Sequence, residues 1–452
     1  MTLLETEFDG CDLGDERRES RLQQLVEALA RHPEMSFPEA LGYGKHLEAA
    51  YRFLNNPAVD AGALLRPHQS ATVARIQQHK RVLILSDTTH MQPSAKAIRE
   101  GFGVDGFRTH TSLAVTSDGS REPLGVIALE SWARPDREEG KPAKRDTQAR
   151  RHDENRESKR WLKQSLEVEA LVTGVQLIHV EDREADIYES LAERCRRGMS
   201  FIVRSQSSRK VIVDDEVENI LQHVRKLERL FSRTVTLSRR AKTTWHTSHP
   251  ERDGRKATLA IAAAAVVIRL PRFKGEENEP LALNAVHVIE QDGPLGEPAV
   301  EWLLITTEPI STPQEIEFVV DSYRTRWMIE EYFKALKSGC AYEARQLESY
   351  EALQSALSIF AVIAWRLLWL RYVSRTNDGT PATRVMSDVE LKILRAQGRV
   401  GEKPTAVEAL RAVAALGGHL KPNGDPGWEV IWRGFRALRH LVSGYLLALE
   451  EK

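Results

Sequence analysis

The chain has 452 residues, of which 41% are hydrophobic and 29% are charged. This composition supports folded domains with a sizeable core and excludes a largely disordered or low-complexity chain. Its 64 Lys and Arg residues balance 65 Asp and Glu residues, which gives a formal net charge of −1. Bulk charge by itself therefore argues against a protein that coats nucleic acid indiscriminately.

Cysteines and apolar runs limit the class of protein further. The three cysteines, Cys11, Cys195 and Cys340, form no CxxC pair, which excludes a disulfide framework and a cysteine-based zinc site. The first residues have neither the basic start nor the apolar centre of a signal peptide. The longest mainly apolar runs, 259–268 and 356–365, are too short to span a bilayer. We therefore expect a soluble, cytoplasmic protein with no membrane partner.

The first predicted elements are helices, up to about residue 75. Ser36 and Glu39 have the spacing of a capping box, and Asn55-Asn56-Pro57 indicates a helix end. Short apolar runs rich in strand-forming residues then follow. They predict strands at 81–85, 112–115, 123–129, 175–180 and 201–204, with a helix up to residue 196.

The remaining segments of the chain differ from these elements in composition and predicted structure. The charged segment 134–160 is predicted to be a solvated loop, and 204–310 alternates short β-like runs with turns. One long helix is predicted over 314–337, and helices continue to the end of the chain. This order indicates an α/β core that a β-rich insert interrupts in sequence.

Two aspartates have equivalent positions in this pattern. Asp87 and Asp182 each follow a strand of the buried type, where side chains in α/β sheets line the crevice that binds ligands. The plainer interpretation is that each aspartate caps a turn or a helix.

One face of the predicted helix 314–337 carries a set of polar side chains. At 100° per residue, an arc of about 80° holds Tyr323, Arg326, Glu330, Lys334 and Lys337. An ordinary solvated face with Glu330–Lys334 pairing would look the same. The functional interpretation is that two aspartates and a glutamate hold a pair of Mg²⁺ ions, which prefer carboxylate oxygens. Two such ions about 3.5–4 Å apart serve phosphoryl transfer, and the cations would bind flanking phosphates.

Specific motifs support the functional interpretation. The Tyr323, Arg326, Glu330 and Lys337 spacing resembles that of bacterial DDE transposases of the insertion-sequence-four family. The segments 86–89 (SDTT) and 182–187 (DREADI) resemble the first and second acidic motifs of that family. Further matches follow the family's order along nearly the whole chain: Leu13–Leu22, Ala50–Phe53, Trp302–Leu304, Arg326–Glu331, Ala364–Leu368 and Trp432–Phe435.

The resemblance implies an α/β fold with a ribonuclease-H-like catalytic core, a β-rich insert, and helical N-terminal and C-terminal domains. It predicts five regions: an end-binding domain at 1–75, the first part of the core at 76–203, the insertion at 204–310, the rest of the core at 311–375, and a dimerisation region at 376–452. The implied activity is cut-and-paste transposition. One strand is nicked, a hairpin forms and is resolved, and the 3′-OH is transferred into target DNA.

The resemblance also implies the site residues and partners. Asp87, Asp182 and Glu330 match the catalytic, metal-binding triad for two Mg²⁺ ions, with Mn²⁺ expected to substitute. The implied DNA contacts are Tyr323, Arg326, Lys334, Lys337, Trp302, Arg204, Arg17, Arg18, Arg21 and Arg52. Trp302 matches a tryptophan that accepts a flipped base, although a lone tryptophan in a strand also suits core packing. The implied partners are double-stranded DNA, as terminal inverted repeats and as target, and a second copy in a homodimer bound to DNA. The implied location is the bacterial cytoplasm, at the nucleoid.

Three interpretations remain open at this point. The arginines of residues 17–21 could instead form surface salt bridges with Asp15, Glu16 or Glu19. The apolar stripe of the C-terminal helix suits either a dimer seam or packing on its own domain; its members are Ile431, Phe435, Leu438, Val442, Leu446 and Leu449. A DNA-end-binding regulator without activity and a nuclease without strand transfer are the alternative functions.

Overall fold

The computed structural model describes residues 5–93, 106–133, 157–206, 208–237, 251–269, 279–294, 296–297, 299–376, 379–420 and 425–450. The predicted solvated loop at 134–160 lies almost wholly outside the described residues.

Four helices precede the sheet: α1 (Glu16–Arg31), α2 (Phe37–Leu41), α3 (Lys45–Leu54) and α4 (Ala61–Ile76). The predicted capping box is present, because Ser36 accepts from the backbone N–H of Glu39 and the Glu39 carboxylate accepts from that of Ser36. Helix α3 ends directly before Asn55, where a helix end is predicted.

One sheet contains the eleven strands of the described residues. They are β1 (Arg81–Met91), β2 (Phe107–Thr116), β3 (Pro123–Ala133), β4 (Gln176–Glu181), β5 (Ser200–Arg204), β6 (Lys210–Val213), β7 (Glu216–Asn219), β8 (Phe231–Leu237), β9 (Arg255–Ile268), β10 (Leu281–Gln291) and β11 (Glu301–Thr306). Helices α5 (Lys159–Leu171), α6 (Tyr188–Arg196) and α7 (Ile220–Lys226) lie between them in sequence.

The first five strands have the order β3-β2-β1-β4-β5. Strand β2 pairs antiparallel with both β1 and β3, whereas β4 pairs in parallel with both β1 and β5. This is the predicted ribonuclease-H-like core. The crossovers through α5 and α6 bring the carboxyl ends of β1 and β4 to the same edge of the sheet.

The β-rich insert extends this sheet and does not form a separate one. Strand β11 pairs antiparallel with β5, and β10 and β9 continue outward from it. Residues far apart in sequence, such as Arg204 at the end of β5 and Leu304 in β11, are therefore neighbours.

The single helix predicted over 314–337 is wrong in one respect, because it is divided at Arg326. Helix α8 (Pro313–Thr325) is followed by α9 (Trp327–Lys334) and by one π-helical turn, Ala335–Gly339. The Thr325 hydroxyl donates to the carbonyl of Asp321 one turn back, an arrangement that bends helices.

Helix α10 (Tyr350–Val373) runs through the core, where it buries Leu357, Phe360 and Trp365. Among the described residues it is the one helix long and apolar enough to cross a membrane, and most of it is buried inside the fold. The expectation that the run 356–365 is too short to span a bilayer therefore underestimated the apolar element, which extends beyond that run at both ends.

Three helices follow: α11 (Asp388–Ala396), α12 (Ala406–Leu416) and α13 (Trp428–Glu450). Gly434 lets α13 approach α12 closely, because a Cβ there would lie 1.8 Å from the carbonyl oxygen of Val413. Phe435 and Leu438 are buried, whereas Leu446 and Leu449 are exposed. The first half of the predicted apolar stripe therefore packs on its own chain, and the second half is left at the surface.

Candidate active site

Asp87 lies within β1, not directly after a strand as predicted. Strand β1 pairs with β2 as far as Met91, but its parallel pairing with β4 stops at Leu85, opposite Val180. Continuing that register by two residues places Asp87 level with Asp182, the residue that follows β4. The two aspartates therefore meet at the carboxyl edge of the parallel strands, where the sequence predicts a crevice.

Asp182 also makes the local contact that the plainer interpretation predicts. Its side chain accepts from the backbone N–H of Glu184 at 2.9 Å and caps a single 3₁₀ turn. The residue before it points to the opposite face of the sheet, where the buried Glu181 carboxylate forms an ion pair with Arg194 at 2.6 Å. This ion pair on the opposite face thus stabilises the strand end that carries Asp182.

Arg326 joins Asp87 to Glu330. Its Nη1 lies 2.8 Å from Asp87 Oδ2, and its Nη2 lies 2.7 Å from Glu330 Oε1. The Arg326 side chain is only 13% exposed. Because Arg326 lies at the division between α8 and α9, one guanidinium spans the carboxylates of β1 and α9. The predicted convergence of Arg326 and Glu330 on Asp87 is therefore present.

Burial has a strong effect on Asp87. Desolvation is the largest of the effects that raise the pKa of this carboxyl to about 7, and the nearby charges of Asp182 and Glu330 contribute to the rise. Arg326 and the backbone N–H of Thr88 act in the opposite direction but do not cancel the rise. Acidic groups held together in a cleft with such a shifted pKa are typical of a functional site.

The donor set suits a hard divalent cation, since it consists of two aspartates and one glutamate. In the described part of the chain, however, no three His, Cys, Asp or Glu side chains stand close enough together to form a metal site. The Arg326 guanidinium supplies the positive charge between Asp87 and Glu330. These two residues, with Asp182 beside Asp87, are the ones that would hold a metal after that guanidinium moves.

An aromatic pair lies on the insert side of the carboxylates. The rings of Trp302 in β11 and Tyr323 in α8 are 5.5 Å apart, edge to face. Arg204 interacts electrostatically with the Tyr323 phenol, and its Nη2 donates to the carbonyl of Glu301 at 3.3 Å. The β5–β11 pairing therefore gathers three of the predicted DNA contacts at one place.

The two predicted lysines have different environments. Lys337 donates to the carbonyl of His90 at the end of β1 and lies 3.5 Å from the carboxylate of Glu343. Lys334 is exposed. Lys337 thus helps to attach the π-helical turn to the strand that carries Asp87.

The predicted end-binding arginines lie on the N-terminal helices. Arg17 is exposed and Arg21 lines a shallow cleft, and neither forms an ion pair with any described residue. The alternative of salt bridges with neighbouring acids is therefore not realised for these two. Arg18 instead donates to the carbonyl of Leu13 at 2.7 Å, and Arg52 lies 3.8 Å from Glu48.

Sequence reasoning missed two features of the site. Trp327 directly follows Arg326 and is 60% exposed, a high exposure for so large an apolar side chain on the helix that also carries Glu330. Asp186 is buried and binds the segment after β5. The second aspartate of the DREADI segment was a sequence signal for Asp186, and the Arg-Trp pair before Glu330 was one for Trp327.

Two protein-family models match the chain. A transposase DNA-binding domain matches residues 1–59, and a transposase DDE domain matches residues 146–366. The second match contains Asp182 and Glu330, and the sheet brings Asp87 to them from outside the matched region.

One solved structure that matches the chain is the cryo-EM structure of the piggyBac transposase synaptic complex with hairpin DNA. The match has 11% sequence identity and a TM-score of 0.37, and it covers 95% of this chain and 76% of that chain. So low a score adds nothing to what the strand order and the family matches establish. Those matches together span more than half of the sequence, and the chain is therefore a DNA transposase with a transposase DNA-binding domain followed by a transposase DDE domain.

Proposed function

We propose that this transposase performs cut-and-paste transposition with Asp87, Asp182 and Glu330 as its catalytic carboxylates. We place it in the insertion-sequence-four family, where it most resembles the transposase of transposon five. The observation that carries the proposal is the bridge from Arg326 to both Asp87 and Glu330. It unites an aspartate of the first core strand with the family's glutamate, although 243 positions separate them in sequence.

The chemistry follows from the charges at the sheet edge. Two Mg²⁺ ions, or Mn²⁺ in their place, would activate the attacking oxygen and stabilise the leaving oxygen of a phosphodiester. Asp87, Asp182 and Glu330 supply the carboxylates for them. Arg326, once a metal replaced it between the carboxylates, would be free to bind non-bridging phosphate oxygens in the fork geometry that guanidinium favours.

The same site contains groups suited to a hairpin. A tight DNA hairpin leaves a base unstacked, and an indole face binds such a base with about 1–3 kcal/mol. Trp302 is half-buried, and its ring contacts the Tyr323 ring edge to face. An unstacked base that took the place of the Tyr323 ring would stack on the Trp302 indole. Lys334 and Lys337 extend the positive charge along the helix for flanking phosphates.

Binding of the element ends is assigned to the N-terminal helices. Arg17, Arg21 and Arg52 are the residues proposed to contact phosphates. Arg18 is proposed to do so with its remaining nitrogen donors, because one already binds Leu13. Residues 1–80 contain 12 acidic and 9 basic residues, so these contacts must come from one patterned face.

Assembly and location complete the proposal. The exposed apolar end of α13, which includes Leu446, Leu447 and Leu449, is proposed to pair with a second copy in the DNA complex. We propose that the protein acts at the nucleoid in the bacterial cytoplasm.

The decisive experiment incubates the protein with linear DNA that carries the inverted repeats flanking its coding sequence. With Mg²⁺ we expect donor fragments with hairpin ends, followed by insertion into a target plasmid. Binding of the repeats without any cleavage would instead identify a regulator. Open-ended cleavage without hairpins or insertion would identify a nuclease.

A further inference from the structure

A buried carboxylate fastens the loop that carries Asp182 to the segment after β5. Asp186 Oδ2 accepts from the hydroxyl of Ser205 at 3.0 Å and from the backbone N–H of Gln206 at 2.7 Å. Both its carboxylate and its backbone carbonyl also accept from the guanidinium of Arg209. Asp186 is only 4% exposed, so these charge-assisted bonds are largely shielded from water.

Two arginines, Arg183 and Arg204, lie next to the segments that Asp186 joins, beside the candidate site. Arg183 follows Asp182 in the 3₁₀ turn, and Arg204 directly precedes the fastened segment. The Arg183 guanidinium interacts electrostatically with Arg204, with Tyr323 and with Asp182. Two guanidiniums repel one another, and an anion bound between them would relieve this repulsion.

Neither arginine forms an ion pair with a carboxylate of the described residues. The side chain of Arg183 is exposed and has no hydrogen bond or ion pair with any described residue. Arg204 Nε is buried without a hydrogen-bond partner, although the same guanidinium bonds through Nη2 to the carbonyl of Glu301 at 3.3 Å and also to the Tyr323 hydroxyl. Free N–H donors on two nearby guanidiniums, beside the candidate site, indicate a place for an anion.

We propose that Arg183 and Arg204 together bind one DNA backbone phosphate beside Asp182, and that Asp186 is the positioning residue that keeps them together. This inference rests on the proposed function and adds Arg183 as a phosphate contact. The phosphate would lie between the aromatic pair of Trp302 and Tyr323 and the strand end that carries Asp182. Its ligand is the phosphodiester group, so the contact is independent of base sequence.

The test measures binding of a duplex that carries the flanking inverted repeat, in metal-free buffer, as a function of salt. Loss of one phosphate contact reduces the slope of log K against log salt by about one unit. We therefore expect Arg183→Gln to lower the slope by about one and to weaken binding on the order of tenfold at about 0.1 M salt. Arg183→Lys keeps the charge and should keep the slope.

A matched control is Arg197→Gln. Arg197 is exposed and forms an ion pair with Glu193. It follows α6, at the end of the helix that lies near the amino ends of the strands. Its loss should leave the slope unchanged. Asp186→Asn removes the charge that holds Arg209 and should weaken binding less than Arg183→Gln.

The possible outcomes separate the two claims. Should Arg183→Gln keep the wild-type slope while the wild type binds the repeat better than a scrambled duplex, the arginine pair is refuted and the proposed function stands. Absence of any preference for the repeat in the wild type would refute the proposed function and, with it, the pair. A methylphosphonate scan of the terminal phosphates should find one position that weakens the wild type and not Arg183→Gln.

Discussion

Arg326 donates a hydrogen bond to Asp87 at 2.8 Å, between residues 239 positions apart in the chain. The same guanidinium binds Glu330, so two of the three carboxylates that the proposed chemistry needs share one arginine. A bound cation and this guanidinium would compete for the same negative charge.

Replacing Arg326 should make the protein depend on metal for stability. We expect Arg326→Gln to lower the free energy of unfolding in metal-free buffer by about 3 kcal/mol, because two partly buried carboxylates lose their shared cation. Added Mg²⁺ should then raise the Tm of this variant by more than it raises that of the wild type. Thermal unfolding in EDTA and in Mg²⁺ measures both effects.

The control for this prediction lies two residues away on the same helical segment. Arg324 pairs with Asp321, away from Asp87, so Arg324→Gln should show the wild-type response to Mg²⁺. Equal Mg²⁺ shifts in all three proteins would contradict competition between metal and Arg326.

Neutralising any member of the proposed triad should stop the chemistry. Asp87→Asn, Asp182→Asn and Glu330→Gln should each reduce cleavage of repeat-bearing DNA by about a thousandfold or more, since metal stabilisation of the transition state amounts to several kcal/mol. Binding of the repeat, measured by fluorescence anisotropy, should remain. Glu331→Gln changes the next carboxylate, which pairs with Arg371, and should retain cleavage. Full cleavage by any triad variant would remove that residue from the assignment.

Trp302 is expected to act after the first nick. Trp302→Ala should allow nicking but reduce hairpin yield by roughly ten- to a hundredfold, the value of one base–aromatic stack. Trp302→Phe retains a flat ring against Tyr323 and should recover much of the yield. Gel analysis of end-labelled DNA separates nicked from hairpin products. A normal hairpin yield in Trp302→Ala would show that the indole serves packing alone.

His110 should make the fold sensitive to acid. Burial lowers the pKa of this imidazole to about 4, although Glu181 and Glu130 act to raise it. Because the folded-state pKa lies below the usual value of about 6.5, this contribution to stability is complete above pH 6.5 and is lost as the pH falls toward 4. We expect this loss to reach about 3 kcal/mol and to be absent in His110→Gln.

Urea unfolding at pH 7 and pH 5 tests the histidine prediction. The wild type should lose more stability between these two values than His110→Gln does. The exposed His46 provides the control, and His46→Gln should follow the wild type. Identical losses in the wild type and His110→Gln would assign the acid sensitivity to other groups.

Much of the local structure follows from short-range chemistry that is visible in the sequence. The Ser36–Glu39 capping box, the helix end before Asn55 and the strand before Asp182 all depend on contacts within a few residues. The division of the long helix at Arg326 was missed, because the hydrophobic period continues through it. At this point the Thr325 hydroxyl donates to the carbonyl of Asp321, a bond that often bends helices and that periodicity does not reveal.

The sequence by itself determined which residue types are available for the site: two strand-associated aspartates, and a glutamate and arginine on one helix face. Only the tertiary structure decided how they meet. Parallel pairing of β1 with β4 brings Asp87 level with Asp182, and pairing of β5 with β11 brings Arg204 to Trp302 and Tyr323. The near-zero net charge likewise concealed local arrangement, because a sum over the chain does not record which charges are adjacent. Strand register and the close approach of distant charges depend on long-range packing, and no local pattern encodes them.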